Sequence, residues 1–173
     1  MAQITVKRLT NANVYVDGNS LLGKVAECKL PEVKALLSEH KALGMQGKIQ
    51  LPNGFDQMEA SFTWNSLYDD VLAKVADIYT SHDVQVRGSI DTYGNGGRTA
   101  QVGVVVYLSG TFTKFPMGGF KQNDNVEAET TMNVTYCKME IGGAVILEVD
   151  MLANIYKVGS TDLLATYKQL IGG

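Results

Sequence analysis

Residues able to carry out catalysis are scarce in this chain of 173 residues. Its two histidines, His40 and His82, both lie in loop-like contexts, and no G-x-S-x-G nucleophile motif is present. A catalytic triad needs a histidine placed against both a nucleophile and a carboxylate, and nothing in the sequence spacing indicates such a set. We therefore predict that the protein is not an enzyme.

Cofactor and metal sites have equally little support. The run Gly94–Gly97 lacks the G-K-[ST] ending of a phosphate loop and separates two predicted strands, so it predicts a hairpin turn. His82 and Asp83 are too few to hold a metal ion, and no carboxylate cluster has ligand spacing. Cys28 and Cys137 are far apart without a C-x-x-C motif, which favours two buried thiols over a disulfide or a metal site. We predict no cofactor and no metal.

The most informative polar residues occupy alternate positions of two predicted strands. In the segment 57–65, one face carries Met58, Ala60, Phe62 and Trp64, and the other carries Glu59, Ser61, Thr63 and Asn65. The segment 126–136 repeats the polar half of this pattern with Glu127, Glu129, Thr131, Asn133 and Thr135. A period of two predicts half-buried strands.

Two interpretations of this polar face are open. The ordinary one is a sheet face in contact with solvent. The other is the wall of a channel, because small hydroxyl and amide side chains with some acid repel a polyanion and offer it no cationic anchor. No Lys or Arg lies between Lys121 and Lys138, which agrees with the second interpretation.

The elements that position these faces are predicted to be mainly antiparallel strands. Alternation and turn signals predict strands at 24–33, 57–65, 84–93, 98–115, 126–141 and 144–150. Apolar spacing predicts two helices, one at 66–77 opened by a capping box at Ser66 and one at 161–171 capped by Ser160 or Thr161. We expect a single domain spanning 1–173, with an antiparallel β-sandwich or barrel and two helices.

The segment 34–56 breaks this pattern. It carries mixed charges, several glycines and a proline, and neither a period of 2 nor one of 3.6 persists. Loops longer than about 12–15 residues are uncommon in compact domains unless they are functional or disordered. We therefore predict a long loop that contacts a partner. Several predicted strands also lack a device that blunts a sheet edge, and a closed ring would give each such edge a neighbour.

Charge and hydropathy exclude further classes. The net charge is -3, and the 15 basic residues are scattered, with only Lys7 and Arg8 adjacent. Phosphate binding needs clustered Lys and Arg, so a nucleic-acid-binding protein is not expected. The first residues lack the order of a signal peptide, and the longest apolar run, around 102–108, is far too short to span a bilayer. We expect synthesis in a cytoplasm and no membrane partner.

Several segments match a known family in order and spacing. They are Leu9–Gly18, Gly23–Val33, Gly44–Met45, Met58–Phe62, Arg87–Ser89, Val134–Gly143, Glu148–Asp150 and Ile155. Together they resemble the major tail tube proteins of contractile-tailed phages, and most closely the branch of the P2-like phages and R-type bacteriocins. The resemblance covers essentially the whole chain and departs from the family mainly in 78–100.

The resemblance implies a phage tail tube or type VI secretion tube-like fold and a structural role. Family members form hexameric rings that stack into a hollow tube, with strands of each subunit in one continuous inner barrel. The implied partners are further copies of the chain, the sheath protein, the tape measure protein, and the baseplate and tail terminator proteins. DNA passes through the lumen without specific binding, and the implied location is the virion tail.

The same resemblance assigns roles to individual residues. Lumen-lining candidates are Glu27, Glu59, Ser61, Thr63, Glu127, Glu129, Thr131, Asn133 and Thr135. Inter-ring contact candidates within the 34–56 segment are Glu39, His40, Lys41, Met45 and Lys48. The terminal helix is expected to pack outside the barrel, with Lys168 as its sheath-facing candidate.

Alternatives remain within and outside this class. The tube of an R-type bacteriocin or of a type VI secretion system would share the fold. A monomeric β-sandwich that binds a ligand such as a carbohydrate belongs to another class. Such a module needs exposed aromatic side chains, whereas the single tryptophan, Trp64, lies on the predicted apolar face.

Overall fold

The computed structural model describes residues 4–172, and within them the chain forms twelve strands and two helices. The strands are β1 (Val6–Val16), β2 (Asn19–Ser20), β3 (Val25–Lys29), β4 (Ala35–His40), β5 (Ile49–Phe55), β6 (Met58–Trp64), β7 (His82–Gly94), β8 (Gly97–Lys114), β9 (Ala128–Ile141), β10 (Ala144–Asp150), β11 (Ile155–Val158) and β12 (Thr161–Asp162). The helices are α1 (Asp69–Val75) and α2 (Ala165–Leu170). Neither described helix is long and apolar enough to cross a membrane.

Ten of the described strands form one branched antiparallel sheet. The main layer has the order β12-β11-β10-β9-β8-β7-β1-β2, and the branch consists of β6 and β3. The sheet branches at β9, because the two halves of one edge of this strand pair with different strands. Residues 128–134 pair with β6 and residues 136–141 pair with β10, while β8 accompanies β9 on the other side. The predicted mainly β, antiparallel fold with two helices is confirmed.

The core lies under strand β6, where the predicted alternation is seen directly. Met58, Phe62 and Trp64 are each at most 1% exposed. The ring of Phe62 packs against Trp64 and Phe112, with centroid separations of 6.1 and 6.3 Å. The indole Nε1 of Trp64 donates a hydrogen bond to Thr130 Oγ1 at 3.1 Å, so the one polar atom of this large side chain is satisfied inside the core.

Helix α1 is held by packing and not by a cap. It is shorter than the predicted 66–77, and its preceding residue, Tyr68, makes no side-chain capping bond. The predicted capping box at Ser66 is therefore wrong. Val71 and Val75 are 4% and 1% exposed against the sheet, and this burial stabilises a helix that would be too short to persist alone.

A small polar cluster ties helix α1 to the turn after β1. Lys74 Nζ donates to Asp17 Oδ2 at 2.8 Å, and Nδ1 of the buried His82 lies 3.0 Å from the same oxygen. The backbone N–H of Asp83 donates to Asp17 Oδ1 at 3.1 Å. Burial raises the pKa of Asp17, but these hydrogen bonds together outweigh it and hold that pKa below its usual value.

The C-terminal segment differs from the predicted helix at 161–171. Residues Thr161 and Asp162 pair with β11, and α2 begins only at Ala165. The cap is not Ser160 or Thr161, because the residue preceding α2 is Leu164, which makes no side-chain capping bond. In the turn before the helix, Asp162 Oδ1 accepts the backbone N–H of Leu164 at 3.0 Å. Helix α2 contains no buried residue, so the apolar face that was expected to pack on the barrel is left open.

The segment 34–56 is a β-hairpin and not an irregular loop. Strands β4 and β5 pair with each other as a separate two-stranded sheet, with a register shift between Ala35 and Leu37. All residues of β4 and all but the last of β5 are exposed. Because almost all side chains of β4 and β5 are exposed on both faces, apolar and polar residues need not alternate along these strands. The sequence therefore shows no strand pattern here.

Candidate functional site

The candidate site is a polar face formed by β3, β6, the first half of β9 and the end of β8. Strand pairing sets the residues in rows across the four strands. Glu27, Thr63 and Glu129 form one row, and Lys29, Ser61 and Thr131 form the next. Glu59 lies opposite Asn133, which in turn lies opposite Thr111 of β8. The structure thus gathers most of the predicted lumen-lining residues on one continuous surface.

The side chains on the opposite side of these strands are fully buried. Ala128, Thr130, Met132 and Val134 are at most 2% exposed, matching the buried residues of β6 that they oppose. The predicted separation of an apolar and a polar face is therefore present. Trp64 is 1% exposed and faces the core, so it cannot be the exposed aromatic of a sugar-binding face.

The charge on the polar face is close to balanced, which corrects the expectation of a face without cationic groups. Lys29 lies opposite Ser61, and Lys114 Nζ binds Glu129 Oε2 at 2.9 Å. The hydrogen bond and positive charge of Lys114 lower the pKa of Glu129. The sequence count between Lys121 and Lys138 missed both lysines because they reach the face from neighbouring strands.

Two of the lumen candidates are placed differently from the rest. Glu127 is exposed but precedes β9, which begins at Ala128, so it lies beyond the end of the paired face. Thr135 is half-buried, and its Oγ1 donates to the backbone oxygen of Ser109 at 3.2 Å. Thr135 lies at the register shift between β8 and β9, and its hydroxyl group bonds to β8 there.

The inter-ring candidates all lie on the β4–β5 hairpin. Lys48 Nζ pairs with Glu39 Oε2 at 2.7 Å across the two strands, while His40 and Lys41 are exposed near the tip and Met45 is half-buried. The hairpin also exposes large apolar side chains that were not singled out from sequence: Leu36, Leu37, Leu43, Ile49 and Leu51. Several exposed large apolar side chains on an isolated two-stranded sheet are typical of an interaction site.

The sheath-facing candidate is paired within its own subunit. Lys168 Nζ lies 3.3 Å from Asp162 Oδ2. Around it, four apolar side chains of the same terminal segment are exposed, namely Leu163, Tyr167, Leu170 and Ile171. The surface of this C-terminal segment is therefore mainly apolar, and the charge of Lys168 is neutralised by Asp162.

The polar face ends in an open strand edge on each side. Strand β3 pairs only with β6 among the described residues, so its other edge is free. At the opposite side, β7 accompanies β8 only as far as the pair of His82 and Gly110. Residues 111–114 of β8 therefore pair with β9 alone within the described chain. Backbone groups on such edges are available to a strand from another molecule.

Gly110 allows β8 and β9 to approach closely just before this second edge. The pairing of β8 with β9 shifts between Ser109 and Gly110, and the backbones approach closely there. A Cβ atom at position 110 would lie 1.9 Å from the backbone oxygen of Asn133. Any side chain would push the end of β8 off β9.

Comparison with known proteins identifies the family. The model of the family described as "Phage tail tube protein FII" matches residues 6–172. The chain is similar to the major tail tube protein of Serratia phage KSP20, with 27% identity over 153 residues that cover 87% of this chain and 86% of the relative. It is also similar to the tail tube protein of Escherichia phage P2, with 24% identity over 168 residues covering 96% and 97%.

Solved structures agree at the level of the fold. A chain in the cryo-EM structure of an extracellular contractile injection system, a sheath-tube complex in the extended state, superposes with a TM-score of 0.55 at 13% identity, covering 75% of this chain and 87% of that one. A chain in the sheath/tube terminator of that kind of system gives a TM-score of 0.52 at 13% identity, covering 75% and 92%. The relatives are structural proteins, which confirms the prediction that this is not an enzyme. The chain belongs to the phage tail tube protein FII family and is a structural subunit of the tail tube of contractile phages and related injection systems.

Proposed function

We propose that six copies of the chain close into a ring by joining the two open edges of the polar face. Strand β3 of one copy pairs with residues 111–114 of β8 in the next. The two edges flank the same four-stranded surface, so each junction continues that surface into the neighbour. This is a heterologous contact, and such contacts form closed rings when the rotation closes. The pair of free edges is the observation that carries the proposal.

The polar face then lines the lumen of the ring. Ser61, Thr63, Thr131 and Asn133 give this face small polar side chains. The same face carries the acids Glu27, Glu59 and Glu129 and the cations Lys29 and Lys114. A near-neutral wall of this kind holds a polyanion weakly, since phosphate binding requires several cations to release counterions. Stacked rings form a hollow conduit through which tape measure protein and DNA pass without specific contacts.

The sheath protein binds the outer surface of the tube. The exposed apolar residues of the C-terminal segment face the sheath protein, with the Lys168–Asp162 pair at their edge. The structural neighbours come from a sheath-tube complex and a sheath/tube terminator, which supports sheath and terminator contacts for this chain as well. Baseplate proteins contact the other end of the tube, in the virion tail assembled in the bacterial host.

A thiol cross-linking experiment tests the ring. Ala26→Cys on β3 and Thr113→Cys on β8 place exposed thiols on the two edges. A short bifunctional maleimide should give a ladder of covalent products that ends at six subunits, and the two single variants should give at most dimers. Electron micrographs of the concentrated protein should show rings or tubes. A protein that sediments as a monomer at every concentration and forms no ladder would refute the proposal.

A second possibility is a tube from a bacteriocin or another injection system and not from a phage. The similarity in fold to an extracellular contractile injection system favours it, because that fold occurs outside virions. The neighbouring genes discriminate between the two. Capsid genes beside this one indicate a phage, and their absence from a cluster that retains sheath and baseplate genes indicates a bacteriocin.

A further inference from the structure

A pocket lies beside helix α1, which follows the Trp64 end of strand β6. Its volume is about 400 Å³, at the lower end of the range for small-ligand sites and large enough for one side chain. Leu21, Val71, Val75 and Phe112 form its apolar lining. These residues are 4% exposed or less and belong to the hydrophobic core, so the core of the subunit forms the floor of the pocket.

The β4–β5 hairpin lies at the other end of the same strand that leads to this pocket. The hairpin ends at Phe55 and joins β6 at Met58, whereas α1 follows the opposite end of β6 at Trp64. Seven residues of strand separate these ends by about 20 Å at roughly 3.3 Å per residue. Copies stacked in one orientation along β6 therefore bring the hairpin of one against the pocket end of the next.

The tip of the hairpin presents one side chain suited to the pocket. Leu43 is 105% exposed, the highest value among the exposed large hydrophobic residues of the described chain. It lies in the turn between β4 and β5, where no neighbour in its own subunit covers it. Burial of this fully exposed leucine side chain against a partner is favoured by the hydrophobic effect.

Charge complementarity supports the same pairing. Lys41, two residues before Leu43, has no ion-pair partner among residues 4–172. Asp69 is also exposed and unpaired in the described chain, and it adjoins Asp70 on the pocket rim. A leucine in the pocket brings the cation of one copy to the free carboxylate of the other.

We propose that Leu43 of one subunit inserts into the pocket lined by Leu21, Val71, Val75 and Phe112 of a second copy in the next ring, with Lys41 meeting Asp69 at the rim. This inference rests on the proposed stacking of rings. It assigns the receptor for the hairpin and makes the stacking contact directional, because hairpin and pocket lie at opposite ends of each copy.

Four variants test the contact by its effect on tube growth. Leu43→Ser removes the inserted side chain, and Asn19→Trp places a bulky group at the pocket mouth, where Asn19 is exposed. Each should raise the critical concentration for tube formation at least tenfold while leaving rings intact by native mass spectrometry. Leu152→Ser is the matched control, because Leu152 is also highly exposed but lies in another turn, and it should assemble as the wild type. Lys41→Glu should weaken stacking.

Rescue and cross-linking make the test specific. Adding Asp69→Lys to Lys41→Glu should restore most of the lost tube growth. Leu43→Cys combined with Asn19→Cys should give inter-ring disulfides that require both thiols. Rings and tubes that form normally from Leu43→Ser and Asn19→Trp, without disulfides in the double cysteine variant, would overturn the inference and leave the ring proposal standing. Failure of the wild type to form any ring would refute both.

Discussion

Replacing Gly110 by alanine should damage the subunit far more than its size suggests. The added Cβ would lie 1.9 Å from the oxygen and 2.9 Å from the carbon of the Asn133 carbonyl, and 3.0 Å from Val134 Cα. All three are backbone atoms of β9, so no side chain can rotate away, and the strands must separate. Overpacking costs about 1–3 kcal/mol, and contact with backbone places this substitution at the upper end.

Thermal unfolding of two alanine variants measures this effect. At about 2–4 °C per kcal/mol for a domain of this size, Gly110→Ala should lower the melting temperature by roughly 6–12 °C. Gly103→Ala is the control, because Gly103 lies in the same strand and a Cβ there meets nothing within 4 Å. It should be neutral or slightly stabilising. Equal melting temperatures for the two variants would show that the close approach of β8 and β9 at Gly110 is not as described.

Three further predictions concern a buried hydrogen bond, the Asp17 cluster and the Cys28 thiol. Thr130→Val removes the acceptor of the Trp64 indole and should cost about 1–3 kcal/mol in urea unfolding, unlike the exposed Thr113→Val. The pKa of Asp17 is lowered in the folded state, so its ionised carboxylate stabilises the fold at pH values above the pKa of the unfolded chain. This stabilisation is lost as the pH falls through the folded-state pKa, so the difference in unfolding free energy between wild type and Asp17→Asn should disappear in acid. Burial raises the pKa of Cys28 to about 12, so a thiol reagent at pH 8 should label it only after unfolding.

The parts of the fold that sequence could predict are those set by local periodicity. Strand β6 and the first half of β9 alternate because one side faces the core, and that pattern is visible residue by residue. The hairpin at 34–56 could not be recognised in this way, since both of its faces are exposed. The start of α1 was misplaced because packing of Val71 and Val75, and not a cap, determines where it forms.

The candidate site shows the same division. Polar residues of β6 and β9 were assigned to one face from alternation alone, and their register then placed them in rows. Lys29 and Lys114 were missed because cross-strand neighbours are set by pairing between distant segments, which the order of residues does not reveal. The open edge at 111–114 depends on where β7 stops pairing with β8, which is likewise a property of the folded sheet.

The separation of the β4–β5 hairpin from the ten-stranded sheet has a consequence for how such proteins diverge. Substitutions in the main core must preserve close packing, because even one methylene is felt there. The exposed residues of β4 and β5 are not subject to that constraint, so their identity can change with little loss of folding stability. With the proposed stacking contact, lineages that share this fold can in this way acquire hairpins and pockets that no longer fit one another, and their subunits would not form mixed tubes.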